Sequence, residues 1–173
     1  METPNTPDSR LTAFGNQLIE VHDWLRKELA RLGDDVDAHL EGRAERPRQL
    51  RVHCLAFCSA LTLHHTGEDA GAFPALAERF PELRPVIEQL EHDHLFVADI
   101  LRDLENLVEG LGDRPPGPEE ARRVRATLDG LAAILESHFV YEEKKIVAAL
   151  DSLGSPGDPD FRPPAWLGSS GTD

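Results

Sequence analysis

Apolar residues recur at alternating spacings of three and four residues in four long segments of this 173-residue chain. That spacing places one side chain per turn on a single face of an α-helix. The four stripes run from Leu11 to Leu32, from Leu50 to Glu68, from Ile87 to Leu111 and from Val124 to Glu142. We find no convincing strand pattern. The sequence therefore predicts an all-α protein.

Turn-forming residues give the expected helix boundaries. The first helix is predicted to end at Gly33, so that His39 lies in a polar link as a solvated loop residue. The second is entered through Pro47 and continues, with a bend, towards Arg79. The third closes at Gly112, before the breaker-rich segment DRPPGP. Links this short favour an antiparallel up-down-up-down four-helix bundle.

Composition bounds the domain and its partners. We expect the bundle to span residues 10–151, between loosely ordered tails at residues 1–9 and 152–173 that are rich in Pro, Gly and Ser. The 18 basic and 32 acidic residues give a net charge of −14, which disfavours nucleic acid and anionic membrane surfaces. A signal peptide is not evident, and a cytoplasmic location is expected. The sequence leaves a protein partner open.

Six polar residues occupy positions that the stripes reserve for core side chains. Each stripe contains a histidine, and two stripes add a glutamate four residues later, which gives the set His22, His64, Glu68, His94, His138 and Glu142. Buried polar groups without partners cost several kcal/mol each. A helix rises 1.5 Å per residue, so the distance of each polar residue from the expected helix end can be estimated. These distances place the polar residues of all four stripes at roughly the same depth along the bundle. A metal site would compensate them together.

The donor set indicates which metals suit the site. Residues four apart share a helical face, so His64 with Glu68, and His138 with Glu142, can each present an imidazole and a carboxylate. Mixed nitrogen and oxygen ligation suits iron or manganese, and also zinc. Because two carboxylates on opposing helices can each bridge a pair of ions, we favour two metals.

These residues lie in motifs that resemble the hemerythrin-like, or HHE cation-binding, family. The motifs are EVHDWL, LHHTGED, LEHDHLFVADIL and ESHFVYEEKKI, and the resemblance covers roughly residues 11 to 150. It implies a non-haem di-iron centre with an oxo or hydroxo bridge. Its terminal ligands would be His22, His64, His94 and His138, and Glu68 and Glu142 would be bridging carboxylates.

One position departs from the oxygen-carrying hemerythrins, which usually place a second histidine four residues after the first on the third helix. That position is Ala98 here, and it implies a more open site. His65 lies about 100° around the helix from His64 and is included as a candidate ligand, with a supporting or surface role as alternatives. His92 is expected at the surface.

Two further groups of residues have alternative interpretations. Cys54 and Cys58 are predicted to be small buried hydrophobic residues with reduced thiols. The alternative is a second site of thiol or metal chemistry that they form with His53. Tyr141 could hydrogen-bond a ligand or lie on the helix flank. A ferritin-like site is disfavoured, because it needs Glu-x-x-His on two helices and Leu135 stands where the second glutamate would be.

The leading functional hypothesis is a hemerythrin-like di-iron protein that binds or reduces a small diatomic or peroxide ligand. Oxygen or redox sensing, nitric oxide or peroxide handling, and iron homeostasis all fit the resemblance. The alternative is a di-iron oxidase or oxygenase acting on a small organic substrate. A helical interaction module with a polar core layer is the third interpretation, and the sequence does not decide whether the protein is an enzyme.

Overall fold

The structure, a computed structural model, describes residues 13–42, 47–111 and 116–153. These residues form α1 (Ala13–Leu40), α2 (Pro47–Gly67), α3 (Phe73–Arg79), α4 (Arg84–Gly110) and α5 (Pro118–Leu153). A π-helical turn, Glu68–Ala72, joins α2 to α3, and a 3-10 turn, Pro81–Leu83, leads into α4. The all-α prediction is confirmed, and this part of the chain contains no strand. No described helix has the length and apolar character needed to cross a membrane. Residues 1–9 and 154–173, the greater part of the predicted tails, lie outside the described residues.

α1 is longer than the sequence pattern predicted. The apolar stripe continues past Gly33 to Val36, whose side chain is fully buried, and the helix ends only at Leu40. Gly42 has a φ of 71°, and its backbone N–H donates to the carbonyl of His39 at 3.1 Å, so this glycine terminates the helix. The predicted loop position of His39 is wrong, because the added turn buries its side chain in the bundle.

The bend expected in the second helix is the π-helical turn Glu68–Ala72. It follows Gly67 and contains Gly71, two residues that weaken a regular α-helix. Turns of this kind add a residue to the helical repeat and are frequent at functional sites. The chain then continues as α3 with Phe73 and Leu76 buried.

The long helices pack in a ring, in which α1 contacts α2 and α5, and α4 contacts the same two helices. The order of the contacts between α1 and α5 is the one expected of two antiparallel helices. Between α1 and α5, Gly15 lies against Asp151, whereas Asp37 near the other end of α1 pairs with Arg125. Residue numbers thus rise along α1 in the direction in which they fall along α5.

The apolar interior is divided into two clusters. A large cluster includes Leu25, Leu61, Val97 and Leu135, and a small cluster includes Leu18, Ala72, Leu90 and Ile146. In each stripe, the predicted polar residues lie between members of the two clusters; His22, for example, stands between Leu18 and Leu25. The helices therefore hold one polar layer between two apolar ones.

Two glycines of α1 give a matched test of the packing. A Cβ at Gly15 would lie 2.6 Å from both Asp151 Oδ1 and Val147 Cγ1, whereas a Cβ at Gly33 would meet nothing within 4 Å. We expect Gly15→Ala to destabilise the fold, because the stiff side chain of Val147 and the carboxylate of Asp151, which accepts a hydrogen bond from the Gly15 N–H, must both shift. Gly33→Ala should stabilise it by about 0.5–1 kcal/mol, because alanine is the better helix former.

Urea unfolding of both variants beside the wild type measures the two changes in free energy of unfolding. If Gly15→Ala proved as stabilising as Gly33→Ala, the close approach of α1 to α5 would be contradicted.

Candidate metal centre

The structure brings all seven predicted site residues into the polar layer. They come from four helical elements, and each has a relative exposure of 5% or less: His22, His64, His65, Glu68, His94, His138 and Glu142. The one-depth arrangement predicted from the stripes is therefore present in the fold. α1 supplies the first histidine, α2 with its π-helical turn supplies three residues, α4 supplies one and α5 supplies two.

The seven side chains divide into two groups of potential metal donors. His22, His64, Glu68 and Glu142 offer atoms that all lie within 4.8 Å of one another, and His65, His94 and His138 form a second such group. The carboxylates connect the groups, because Glu68 lies 3.0 Å from His64 Nε2 and 3.4 Å from His94 Nε2. The arrangement has the donors of two neighbouring ion positions.

The spacing of the donor atoms fits a shared ion. Ligands about 2.1 Å from a metal are separated by roughly 3.0 Å along an octahedral edge and by roughly 3.4 Å along a tetrahedral one. His22 Nε2 lies 3.1 Å from His64 Nε2 and 3.3 Å from Glu142 Oε2. Glu68 Oε1 lies 3.0 Å from His64 Nε2. These distances match the edges of a coordination polyhedron.

Several buried atoms of the layer lack the hydrogen bond that burial normally requires. These atoms are the two carboxylate oxygens of Glu68, the two of Glu142, and the Nε2 atoms of His65, His94 and His138. Buried polar groups are nearly always hydrogen-bonded, and each exception needs an explanation. Because these atoms converge on the same space, a cation there satisfies them together. The residues fit a metal.

Burial sets the protonation of the site. It lowers the pKa of His64 to about 3 and holds the pKa values of His65 and His138 below their ordinary value. These imidazoles stay neutral and keep a lone pair for a metal. Burial, and then the charge of Glu142, raise the pKa of Glu68 well above its ordinary value. Burial also favours protonation of Glu142, but contact with His22 outweighs it and lowers the pKa of Glu142 to about 2.

Comparison with known proteins decides the family. A family model for the hemerythrin HHE cation-binding domain matches residues 15–150. The chain belongs to this family. Searches of curated proteins and of solved structures gave no match.

Within this HHE domain, His65 belongs to the second donor group, with His94 and His138. The ring of His65 stacks on that of His94 with centroids 3.9 Å apart, and both face His138. Ala98 is on the exposed side of α4. The 100° rotation that left His65 undecided in the sequence is small enough for two consecutive histidines to face the cavity. Ligation by His65 remains a prediction.

The other weighed residues lie outside this cluster. His92 is exposed, as predicted. Cys54 and Cys58 are free, buried thiols with their sulfurs 4.0 Å apart. His53 faces α1, where it contacts Asp35 at 2.7 Å and Glu28 at 3.2 Å. Tyr141 packs against the small apolar cluster.

Three acidic residues that the sequence pattern did not predict contact the outward nitrogens of the site. Asp69 lies 2.7 Å from His94 Nδ1, Glu143 lies 3.0 Å from His22 Nδ1, and Asp93 lies 3.4 Å from His138 Nδ1. They are half-buried and fall outside the apolar stripes. The available signal was position, because each follows or precedes a site residue directly in the sequence.

Glu68→Gln should have opposite effects with and without metal. The pKa of Glu68 is raised in the folded protein. The protonated side chain therefore contributes to stability below the ordinary pKa of 4.5, and this contribution is lost as pH rises through the folded pKa. Glutamine has no charge to bury. In metal-free protein we expect the variant to be more stable than the wild type at pH 8, by about 1 kcal/mol or more, which is roughly 2–4 °C in Tm. The advantage should disappear near pH 4.

With metal added at pH 8 the order should reverse, because glutamine is a poorer ligand than a carboxylate. Thermal unfolding with a chelator and with added Fe²⁺ measures both effects. A variant less stable than the wild type under both conditions would show that Glu68 stabilises the fold by packing and not by binding a metal.

Proposed function

We propose that this HHE domain is a non-haem di-iron protein that binds or reduces a small diatomic or peroxide ligand. The observation that carries the proposal is the convergence of five imidazoles and two carboxylates, fully enclosed, on two adjacent donor groups. Oxygen or redox sensing, peroxide or nitric oxide detoxification and iron homeostasis are the roles open to such a centre. Manganese and zinc are the alternative metals.

The number of donors supports a site with little spare coordination. Two six-coordinate ions offer about twelve positions, of which five imidazoles and two bridging carboxylates fill about nine. A bridging oxo or hydroxo group would use two more and leave about one for an exogenous ligand. The group with three histidines is then complete, and the spare position belongs to the group of His22 and His64.

The protein's own residues restrict what reaches that position. Phe139 stacks on His22 with centroids 4.1 Å apart, and Phe73 stacks on His94 at 5.5 Å. These rings and the two apolar clusters enclose the polar layer and limit access of water. Iron would supply electrons to a bound small molecule, whereas the chain fixes the donors, and burial favours the neutral imidazoles of His64, His65 and His138. Selection by size follows from this enclosure.

Anaerobic reconstitution with Fe²⁺ tests the proposal. We expect about two irons per chain, and an oxo-to-iron charge-transfer absorption after exposure to air. His22→Ala and His94→Ala each remove a donor from a different group and should lower the iron content, whereas His92→Ala, at an exposed histidine of α4, should leave it unchanged. Fewer than two irons per chain, or no such absorption, would contradict a di-iron centre.

Thermal unfolding separates the metal protein from a helical interaction module. A metal that binds only the folded state raises Tm by mass action, as RT ln(1 + [L]/Kd). Chelation of the iron-loaded wild type should therefore lower Tm, and His22→Ala should show a smaller loss on chelation. An unchanged Tm would support a polar layer held by hydrogen bonds alone.

A groove between α1 and α5 favours a second candidate, a di-iron oxidase or oxygenase for a small organic substrate. The groove has a volume of about 320 Å³, and its lining includes Leu29, Leu128, Leu135 and Phe139. Phe139 lines the groove and also stacks on His22. A small apolar molecule could bind there beside the metal position.

Oxygen consumption distinguishes the two candidates. An oxidase predicts consumption that depends on an added apolar metabolite and is altered by Phe139→Leu. Iron-loaded protein that takes up oxygen without any substrate dependence, across a broad metabolite screen, would count against the oxidase.

A further inference from the structure

An outer set of three carboxylates connects the helices around the site. Asp69, in the π-helical turn, contacts His94 on α4; Asp93, on α4, contacts His138 on α5; and Glu143, on α5, contacts His22 on α1. Each acid therefore holds the histidine of the next helix around the bundle. At the remaining interface, between α1 and α2, His22 contacts His64 directly at 3.1 Å.

The geometry of each contact fixes the orientation of an imidazole. A carboxylate oxygen only accepts a hydrogen bond, so the hydrogen must be on Nδ1 of each histidine. Nε2 of the same ring then faces the interior, where His94 Nε2 lies 3.4 Å from Glu68 and His138 Nε2 lies 3.6 Å from Glu142. The outer acids therefore select the nitrogen that is presented to a metal.

The sequence places these acids by a simple rule. Asp69 follows Glu68, Asp93 precedes His94, and Glu143 follows Glu142. Successive residues of a helix differ by about 100° in direction, so one side chain points into the cavity while its neighbour points along the interface with the next helix. Three of the inner residues, Glu68, His94 and Glu142, are thus each next to an outer one in the sequence.

One outer carboxylate has a support of its own. Arg26 lies on α1, and its guanidinium donates to Glu143 Oε1 at 2.9 Å and to Glu136 Oε2 at 2.8 Å. The same Glu143 oxygen receives the hydrogen bond from His22. Arg26 therefore holds Glu143 at the position from which it orients His22.

We propose that Asp69, Asp93 and Glu143 are positioning residues that orient His94, His138 and His22 for the metals and strengthen them as ligands. This inference rests on the proposed metal centre, but not on iron or on a particular small ligand. Carboxylates that accept a hydrogen bond from a ligating histidine raise its basicity, and their loss typically costs 10–100-fold in metal affinity.

Cobalt titration tests the proposal, because Co²⁺ bound to imidazole and carboxylate is visible by its absorption. We expect Asp69→Ala and Glu143→Ala to weaken Co²⁺ binding about 10–100-fold, and Asp93→Ala to weaken it less, since its contact is the longest. Asp69→Asn keeps an acceptor without the charge and should recover part of the affinity.

The controls are exposed acids that contact no site histidine. Asp99→Ala removes the exposed partner of Arg102 on α4, and Asp35→Ala removes the exposed carboxylate that contacts His53, a histidine outside the site. Both should bind Co²⁺ as the wild type does. All the variants should keep the wild-type Tm without metal, which shows that any loss of affinity is not loss of folding.

Nitrogen NMR of the metal-free protein gives a readout independent of metal. Long-range proton–nitrogen spectra should show the hydrogen of His94 on Nδ1, and Asp69→Ala should shift it towards Nε2. Outer variants that bind Co²⁺ like the wild type, or that lose affinity only in proportion to a lower metal-free Tm, would overturn the positioning role alone. A wild type that binds neither Co²⁺ nor Fe²⁺ would overturn this role together with the metal centre.

Discussion

Enclosing five imidazoles and two carboxylates in the middle of a helical bundle is the constraint on which this structure depends. Each group loses its hydration on folding, and charged forms lose most. Part of the cost is avoided because burial favours the neutral forms of His64 and Glu68, lowering the pKa of the first and raising the pKa of the second. The rest of the cost remains at buried atoms such as His65 Nε2 and Glu142 Oε1, which have no hydrogen bond. A site that is unfavourable without a cation is one whose stability a cation can control.

The apolar layers make this arrangement possible. The large and small clusters lie on opposite sides of the polar layer and hold the same four helical stripes in register. Because each stripe passes from one cluster through the site to the other, the helices cannot slide without moving donors out of the layer. The stability of the clusters thereby fixes the positions of the donor side chains, which is what a preorganised metal site requires. Function and fold share one set of helix faces.

Much of this could be predicted from the sequence, because a helical stripe reports which residues share a face. His22, Glu68 and Glu142 were found as polar residues at core positions, and the structure brings them together. The apolar stripe could not show whether the side chain of His65 is buried. A residue 100° from the core direction is buried or exposed according to how the neighbouring helices pack. His39 was misplaced because Gly33 looked like a stop signal, whereas burial of Val36 carries the helix to Gly42. The outer acids lie on helix flanks, where periodicity gives no signal.

Anomalous diffraction from crystals of the iron-loaded protein, measured at the iron absorption edge, tests the central claim most directly. A di-iron centre predicts two neighbouring iron peaks less than about 4 Å apart. One should lie among His22, His64 and the two carboxylates, and the other among His65, His94 and His138. A single peak, or iron bound away from these side chains, would contradict it.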